Sequence, residues 1–414
     1  MLIISCIFII CLYFIPCTET NETLAQPLLH FTAKFARHHS STDVVGRRNL
    51  IWSPLSLYLA MLMAGEGSEG KTFSEFEHIT GMKTKDDYHQ WINKFFQSLN
   101  KHQQHRKTSR ASNQTTTFTV ANRLYADKTF ELNDKYNNIL KEHYQSELQL
   151  VDFSQQEEAA EIINNWIANK TNDKIKKLLS KKDIHSLTRL ILVNALYFKG
   201  SWVKSFDDTQ TEEGQFYLST KKIIKQQMMN IVNQYRYYND PKHNCQWVNI
   251  PYQNNEYVLT LALPNKNIPL LNLEKKLREL DGVFDTLNKM SSTKKIQLKL
   301  PKFKIESSLD FVKYFKQFYN VHQAFDQQKA DFSYMNKNGK PELFISKIKH
   351  KAIIEIDEYG TEASAATVIT MLSRSGMGLF ETPITLTFDK PFLFYLRNIH
   401  NNIPLFVGRY TGIS

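Results

Sequence analysis

The sequence predicts an α+β fold in one domain, with helices mainly in the N-terminal third and strands mainly in the rest. Apolar residues recur at helical spacing over the first hundred residues, whereas the later apolar segments are short. No internal repeat and no Pro/Gly-rich linker divides the chain, and 42% hydrophobic residues supply one large core. Because helices and strands are segregated along the chain, alternating βαβ units are disfavoured.

The predicted helices begin near the N-terminus. The first is marked by a helical stripe of Leu24, Leu28, Leu29, Phe31 and Phe35. A second begins at Ser53-Pro54, since serine is a favoured N-cap and proline a favoured first helical residue. An amphipathic helix follows from the spacing of Tyr88, Trp91, Ile92, Phe95, Phe96 and Leu99, and a further helix is expected over residues 158–170.

The predicted strands begin at Phe118. Residues 190–198 are almost continuously apolar, which is typical of a strand buried on both faces. In the strand 348–356, period-2 alternation places His350 on the apolar face, where an imidazole needs a partner. The other predicted strands are 118–126, 247–250, 257–263, 296–300, 384–388, 392–396 and 405–407.

Residues 1–16 are apolar and uncharged, and they predict a signal peptide over residues 1–20 with cleavage within 17–20. A signal anchor is the alternative, although the apolar stretch is short for a bilayer span. The mature chain is then 21–414, secreted to the extracellular space. Three sequons, at Asn21, Asn113 and Asn169, are expected to be glycosylated on that route.

The 52 basic residues outnumber the 41 acidic ones and give a formal net charge of +11. Charge alone is compatible with nucleic acid, anionic lipid and sulfated glycan, but a solvated basic surface is the simpler interpretation. We expect no nucleic-acid partner and no stable membrane insertion. Cys6, Cys11 and Cys17 lie in or beside the leader, which leaves Cys245 without a disulfide partner. Without metal-ligand spacing, a phosphate-binding loop or a nucleophile elbow, neither a metal site nor an enzyme is expected.

Five separated segments resemble, in the same order, those of the serpins, serine protease inhibitors that trap their target by changing shape. They are Ser53-Pro54-Leu55-Ser56, residues 194–202, residues 300–303, residues 388–394 and residues 404–409. Together they cover essentially the whole mature chain. The resemblance implies a single serpin domain with a large central sheet, smaller sheets and an exposed reactive-centre loop over about residues 360–383. It also implies a monomer.

Residues 358–367 resemble the serpin hinge, the part of the loop that inserts first into the central sheet. After Glu358 and Tyr359 the hinge reads Gly360, Thr361, Glu362, Ala363, Ser364, Ala365, Ala366 and Thr367. On insertion every second side chain, from Thr361 to Thr367, must fit within the packed layers, and all four are small. This composition favours an inhibitor. A non-inhibitory serpin that acts as a carrier or interaction protein is the alternative.

Arg374 lies fourteen residues after Gly360, the spacing at which serpins place the residue before the scissile bond. The resemblance implies that a trypsin-like protease cleaves Arg374-Ser375, since arginine fits a pocket with an acidic floor. The protease is then trapped as an acyl-enzyme while the loop inserts as a strand, so the loop is expected to stay outside the sheet until it is cut. The chain performs no catalysis of its own. A bond shifted to Met371-Leu372 is the runner-up.

The resemblance also assigns two clusters that control the opening of the central sheet. The breach, near the end of the sheet where the loop enters, comprises a salt bridge between Lys302 and Glu358 with Trp202 packed beside it. The shutter, at the centre, comprises His350 with Asn194 and the hydroxyls of Ser53 and Ser56.

A basic cluster follows the amphipathic helix, in a region that resembles the heparin site of some serpins. Its residues are Lys101, Arg106, Lys107 and Arg110. A heparin-like glycosaminoglycan is therefore the one cofactor candidate. A solvated basic loop is the other interpretation, and the sequon at Asn113 beside the cluster favours it.

Overall fold

The structure, a computed structural model, describes residues 20–39, 48–106, 116–219, 222–253, 255–277, 283, 290–361 and 382–413. Its helices are α1 Thr20–His39, α2 Pro54–Glu66, α3 Gly70–Thr80, α4 Lys85–Arg106, α5 Asp134–Tyr144, α6 Gln156–Lys170, α7 Leu270–Lys276 and α8 Val312–Phe318. Its strands are β1 Leu50–Trp52, β2 Thr117–Asp127, β3 Leu148–Val151, β4 Leu190–Ser201, β5 Glu212–Ser219, β6 Lys222–Asp240, β7 Cys245–Pro251, β8 Tyr257–Pro264, β9 Thr293–Pro301, β10 Phe303–Asp310, β11 Ile345–Ile356, β12 Gly360–Thr361, β13 Ile384–Thr387, β14 Phe392–Asn398 and β15 Pro404–Tyr410. The predicted α+β class is confirmed.

Two sheets organise these strands. A six-stranded sheet has the order β10-β11-β12-β4-β2-β3, in which β11 also pairs directly with β4. A nine-stranded sheet has the order β1-β15-β14-β8-β7-β6-β9-β13, with β5 paired to β6. One hydrophobic core includes residues from α1 to α4 and from both sheets, so the layers fold as a single unit.

Helix α2 fixes the centre of the six-stranded sheet from below. Every residue of α2 is buried, which agrees with its almost uninterrupted apolar sequence. The predicted start is confirmed: Ser53 is the N-cap, its hydroxyl accepts a hydrogen bond from the backbone N–H of Ser56 at 3.1 Å, and Pro54 occupies the first turn. Within the described ranges, no helix is long and apolar enough to cross a membrane.

Strands β4 and β11 are the central pair of the six-stranded sheet. They run parallel and pair directly from Leu190 and Ile345 up to Leu196 and Ala352. Beyond Ala352 they separate, and β12 lies between them, antiparallel to both. We call this end, where β11 finishes, the top of the sheet.

Candidate functional site

The chain reverses direction at the top of the sheet and re-enters it as β12. A turn of Asp357, Glu358 and Tyr359 joins β11 to β12. The carboxylate of Asp357 accepts hydrogen bonds from the backbone N–H groups of Tyr359 at 2.8 Å and Gly360 at 3.0 Å. Because β4 and β11 run parallel, a strand that returns between them finds pairing partners on both sides.

Glycine is the only residue type that fits at position 360, the start of β12. Its φ of +151° lies outside the range of L-residues, and a Cβ atom there would lie 2.1 Å from the carbonyl oxygen of Gly200. The next residue, Thr361, is 1% exposed, and its hydroxyl pairs with that of Tyr252 at 2.5 Å. Burial raises the pKa of Tyr252, so this phenol stays protonated. The expectation that the loop stays outside the sheet until cleavage is therefore wrong for Gly360 and Thr361.

The breach residues lie together beside this turn. Lys302 Nζ is 2.8 Å from Glu358 Oε2, and the hydroxyl of Thr211 donates to Glu358 Oε1 at 2.7 Å. Burial raises the pKa of Glu358, but the hydrogen bonds from Lys302 and Thr211 outweigh it, and the net pKa lies below the usual value. The Glu358 side chain is 4% exposed, whereas the Lys302 side chain is 42% exposed. The pair is thus ionised and open to solvent on one side.

Trp202 holds the turn onto the end of β4. Its indole N–H donates to the carbonyl oxygen of Asp357 at 3.0 Å, and its ring stacks on Tyr252 with centroids 4.5 Å apart. Its backbone N–H donates to the carbonyl oxygen of Tyr359 at 2.9 Å. Trp202, Tyr252 and Thr361 therefore form one packed group, in which Tyr252 was not foreseen from the sequence.

At the shutter, His350 is fully buried and lies directly opposite Asn194 in the β4–β11 register. Its Nε2 accepts from the backbone N–H of Ser53 at 3.0 Å, and its Nδ1 faces the side-chain oxygen of Asn194. Since Nε2 accepts, the proton is on Nδ1 and is donated to Asn194. Burial lowers the pKa of His350 to about 3, so the ring is neutral.

The predicted hydroxyl partners of His350 are wrong. The Ser53 hydroxyl caps α2, so Ser53 offers His350 its backbone N–H instead. The hydroxyl of Ser56 donates to Asn122 Oδ1 at 2.8 Å, and Asn122 Nδ2 donates back to the carbonyl oxygen of Ser56 at 3.0 Å. Asn122, in β2, was missed. Its signal was an amide in the middle of an otherwise apolar strand.

Some of the other predicted residues lie outside the described residues, and the rest can be placed in the fold. Those outside are residues 1–19 with the leader cysteines, Lys107, Arg110, Asn113 and residues 362–381 with Met371-Leu372, Arg374 and Ser375. Lys101 and Arg106 lie at the C-terminal end of α4, Asn21 near the start of α1, and Asn169, which is exposed, on α6. Cys245 is buried, and burial raises the pKa of its thiol to about 12.

Among the residues that the structure describes, no set of three or more His, Cys, Asp or Glu side chains is arranged to hold a metal ion. At the top of the sheet, backbone N–H and C=O groups of β4 and β11 pair with β12.

Comparisons with known proteins agree on one family. The family model described as serpin (serine protease inhibitor) matches residues 27–413. Serpin B6 of Macaca fascicularis is 32% identical over 95% of this chain and 98% of its own length. Intracellular coagulation inhibitor 2 of Tachypleus tridentatus is 31% identical over 87% of this chain and 85% of its own length. The crystal structure of Serpin48 from Tenebrio molitor superposes with a TM-score of 0.80, 26% identity and coverage of 96% of this chain and 100% of that chain.

These relatives correct the predicted localisation. Serpins B6, B8 and B9 and the leukocyte elastase inhibitor are intracellular, and they point away from secretion. The prediction of a secreted, extracellular protein is therefore wrong. The signal peptide over residues 1–20, which rested on the length and position of the apolar stretch, stays a prediction. Glycosylation at Asn21, Asn113 and Asn169 likewise stays a prediction.

The prediction that the chain is simply not an enzyme also needs correction. The relatives are protease inhibitors, and a serpin's suicide mechanism is a reaction with an enzyme, although it is not strictly catalysis. The relatives are therefore better described as proteins that react with a protease than as proteins without an activity.

Proposed function

Because the chain belongs to the serpin family, we propose that it inhibits a trypsin-like serine protease as a suicide substrate. The observation that carries this proposal is β12: the first two residues of the loop are already paired between β4 and β11. A loop whose first residues occupy the gap has a direct route for the rest of the strand. The small residues at alternate positions from Thr361 to Thr367 are compatible with that route.

In the proposed reaction the serine hydroxyl of the protease attacks the carbonyl carbon of Arg374. The peptide bond to Ser375 breaks, an ester joins Arg374 to the protease, and the amine of Ser375 leaves as a new N-terminus. Cleavage frees the loop to extend β12 between β4 and β11. Fourteen residues from Gly360 to Arg374 span about 46 Å at ~3.3 Å per residue, so the attached protease is carried the length of the sheet.

Insertion requires β4 and β11 to separate below Ala352, where they now pair directly. The breach therefore governs entry of the hinge, and the shutter governs how far the strand proceeds. Each inserted residue gains backbone partners on both sides, which drives the change.

A non-inhibitory carrier is the alternative function. The composition of the hinge argues against it, since a bulky or charged residue at Thr361, Ala363, Ala365 or Thr367 would be needed to block insertion, and none is present. We also retain a heparin-like glycan as a candidate cofactor at Lys101, Arg106, Lys107 and Arg110. An inhibition rate that heparin does not change would exclude it.

The first experiment incubates the purified chain with trypsin, thrombin, plasmin, chymotrypsin and elastase. Elastase belongs in the panel because one relative is named leukocyte elastase inhibitor. We expect a detergent-stable band at the summed mass with a trypsin-like protease, and a released fragment that begins at Ser375. The Arg374→Ala variant should lose this adduct. Cleavage without a stable adduct would contradict the proposed inhibition and favour the carrier function.

A pair of hinge variants separates insertion from recognition. Ala365→Arg places a charge where the inserted strand must be buried, and we expect cleavage to continue while the covalent adduct disappears. Ser364→Arg introduces the same side chain on the face that already carries Glu362, and should retain most of the adduct. Equal adduct yields from the two variants, measured on denaturing gels, would contradict the proposed insertion.

A further inference from the structure

Arg397, in β14, is buried, and no described residue forms an ion pair with it. The side chain is 4% exposed; its Nε donates to the hydroxyl of Thr260 at 3.1 Å and its Nη1 to Asn402 Oδ1 at 2.5 Å. None of the ion pairs formed by the described residues includes Arg397. A guanidinium removed from water in this way is costly unless an anion compensates it.

The neighbours of Arg397 also offer donors. Thr260 accepts from Arg397, so its hydroxyl hydrogen goes to Asn249 Oδ1, at 2.8 Å. This fixes the orientation of the Asn249 amide and leaves Nδ2 as its free donor. That atom is buried, and it has no hydrogen-bond partner among the residues that the structure describes. The Asn249 amide therefore requires an acceptor. The guanidinium N–H groups that do not bind Thr260 or Asn402 can donate to the same acceptor.

A second arginine lies on the same face of the sheet. Arg236 in β6 lies directly opposite Asn249 in β7, which lies directly opposite Thr260 in β8. Side chains at such positions share one face, with Cβ atoms about 5 Å apart. Arg397 in β14 is diagonal to Thr260, because it lies opposite Val258, two residues from Thr260 along β8. Arg236 is exposed and, like Arg397, is in none of the ion pairs of the described residues. Burial and, to a smaller extent, the positive charge of Arg236 together lower the pKa of Arg397 to about 10.

We propose that Arg236, Asn249, Thr260 and Arg397, here called the arginine row, bind a small oxyanion such as phosphate, sulfate or a carboxylate. Arg397 and the Asn249 amide hold the anion, and Arg236, at the exposed end of the row, provides the contact with solvent. Guanidinium groups suit this ligand class because their N–H groups match two oxygens at once. The row lies on strands other than β4, β11 and β12, so the proposal does not depend on the proposed inhibition.

The test is isothermal titration of the purified chain with phosphate, sulfate and acetate at constant ionic strength in chloride buffer. Asn249→Asp is the decisive variant, because it replaces the unpartnered amide nitrogen by a carboxylate oxygen of the same size. We expect it to abolish oxyanion binding and to raise the midpoint of thermal unfolding in the absence of added anion. Arg236→Gln, at an exposed position, should weaken binding by about tenfold or more.

Asn239→Asp is the matched control. It makes the same substitution at an exposed position of β6, where it should leave oxyanion binding unchanged. Saturable binding of any of the three anions that Asn249→Asp removes and Asn239→Asp retains supports the proposal. The absence of saturable binding to the unmodified chain overturns it, as does an equal effect of the two asparagine variants.

Discussion

At the breach, β12 already separates β4 from β11, whereas at the shutter the two strands pair directly. The breach is held by an ion pair that is open to water on the Lys302 side, and exposed pairs of this kind contribute only about 0–1 kcal/mol. The shutter is held by neutral hydrogen bonds of His350 in a dry interior, where each group left without a partner costs about 1–3 kcal/mol. Opening is thus easy to begin at the top and hard to continue at the centre.

Removing the shutter histidine should have the largest effect on this difference. His350→Leu leaves the backbone N–H of Ser53 and the side chain of Asn194 without a partner, and we expect the free energy of unfolding to fall by about 3 kcal/mol. Urea unfolding monitored by circular dichroism measures it. His322→Leu, at an exposed histidine, is the control. Equal midpoints for the two variants would show that the shutter is not the stronger restraint.

Acid should weaken the shutter selectively. The pKa of His350 is about 3 in the folded chain and about 6.5 when unfolded, so between these values the unfolded chain binds the extra proton. The stability from neutral His350 is complete above pH 6.5 and is lost as pH falls, by about 2 kcal/mol at pH 5.

A second titrating group acts in the opposite direction over the same range. Burial raises the pKa of Glu66 to about 7, so its contribution is present at low pH and is lost as pH rises through 7. Comparison of unfolding at pH 5 and pH 7 with the same data for His350→Leu isolates the histidine. Identical pH dependence in the two proteins would contradict the assignment.

Displacing β12 tests the breach side of the comparison with a smaller effect. In Gly360→Ala the new methyl group collides with the backbone of Gly200, so we expect β12 to leave the sheet. The cost is limited to the pairing of two residues, about 1 kcal/mol. Trp202 emission should shift, because its ring stacks on Tyr252, which loses Thr361. Gly339→Ala, also at positive φ but without a neighbour within 4 Å, should leave emission unchanged.

Neutralising the breach pair should have the smallest effect on stability. Glu358→Gln keeps an acceptor for Thr211 but removes the charge that faces Lys302, and we expect a loss below about 1 kcal/mol. We expect a larger effect on the fraction of monomer that remains after mild heating, measured by size-exclusion chromatography. This fraction should fall, because the sheet opens first at the breach. The exposed pair of Lys304 and Glu355 joins β10 to β11 a few residues away, so Glu355→Gln is the control. Equal monomer fractions for the two variants would show that the Lys302–Glu358 pair does not restrain opening at the breach.

The sequence predicted the parts of this site that depend on local pattern. Period-2 alternation placed His350 on the buried face, and Ser53-Pro54 located the start of α2. The hydrogen-bond partners of these side chains were harder to predict from the sequence. The Ser53 hydroxyl could bind either His350 or the helix N-terminus, and alternation does not show which competitor wins.

Whether the hinge lies inside or outside the sheet could not be predicted from the sequence either. A run of small residues is equally compatible with a loop outside the sheet and a strand within it. The outcome depends on long-range partners such as Tyr252 and Gly200, which are distant in sequence from Thr361. The unpartnered amide of Asn249 likewise emerged only when four strands were placed side by side.

The register of β12 also determines which residues of β4 and β11 each later loop residue would face after insertion. Thr361 faces Gly200 on one side and Ile356 on the other. In the proposed insertion, six residues further along in the same register, Thr367 would lie between Asn194 and His350, the two residues that now bind each other. Asn194 Nδ2, which has no hydrogen-bond partner among the described residues, would then be close to a threonine hydroxyl. The hydrogen bond between Asn194 and His350 would thereby be replaced by one from the inserted strand, and the position of that replacement follows from the register of β12 alone.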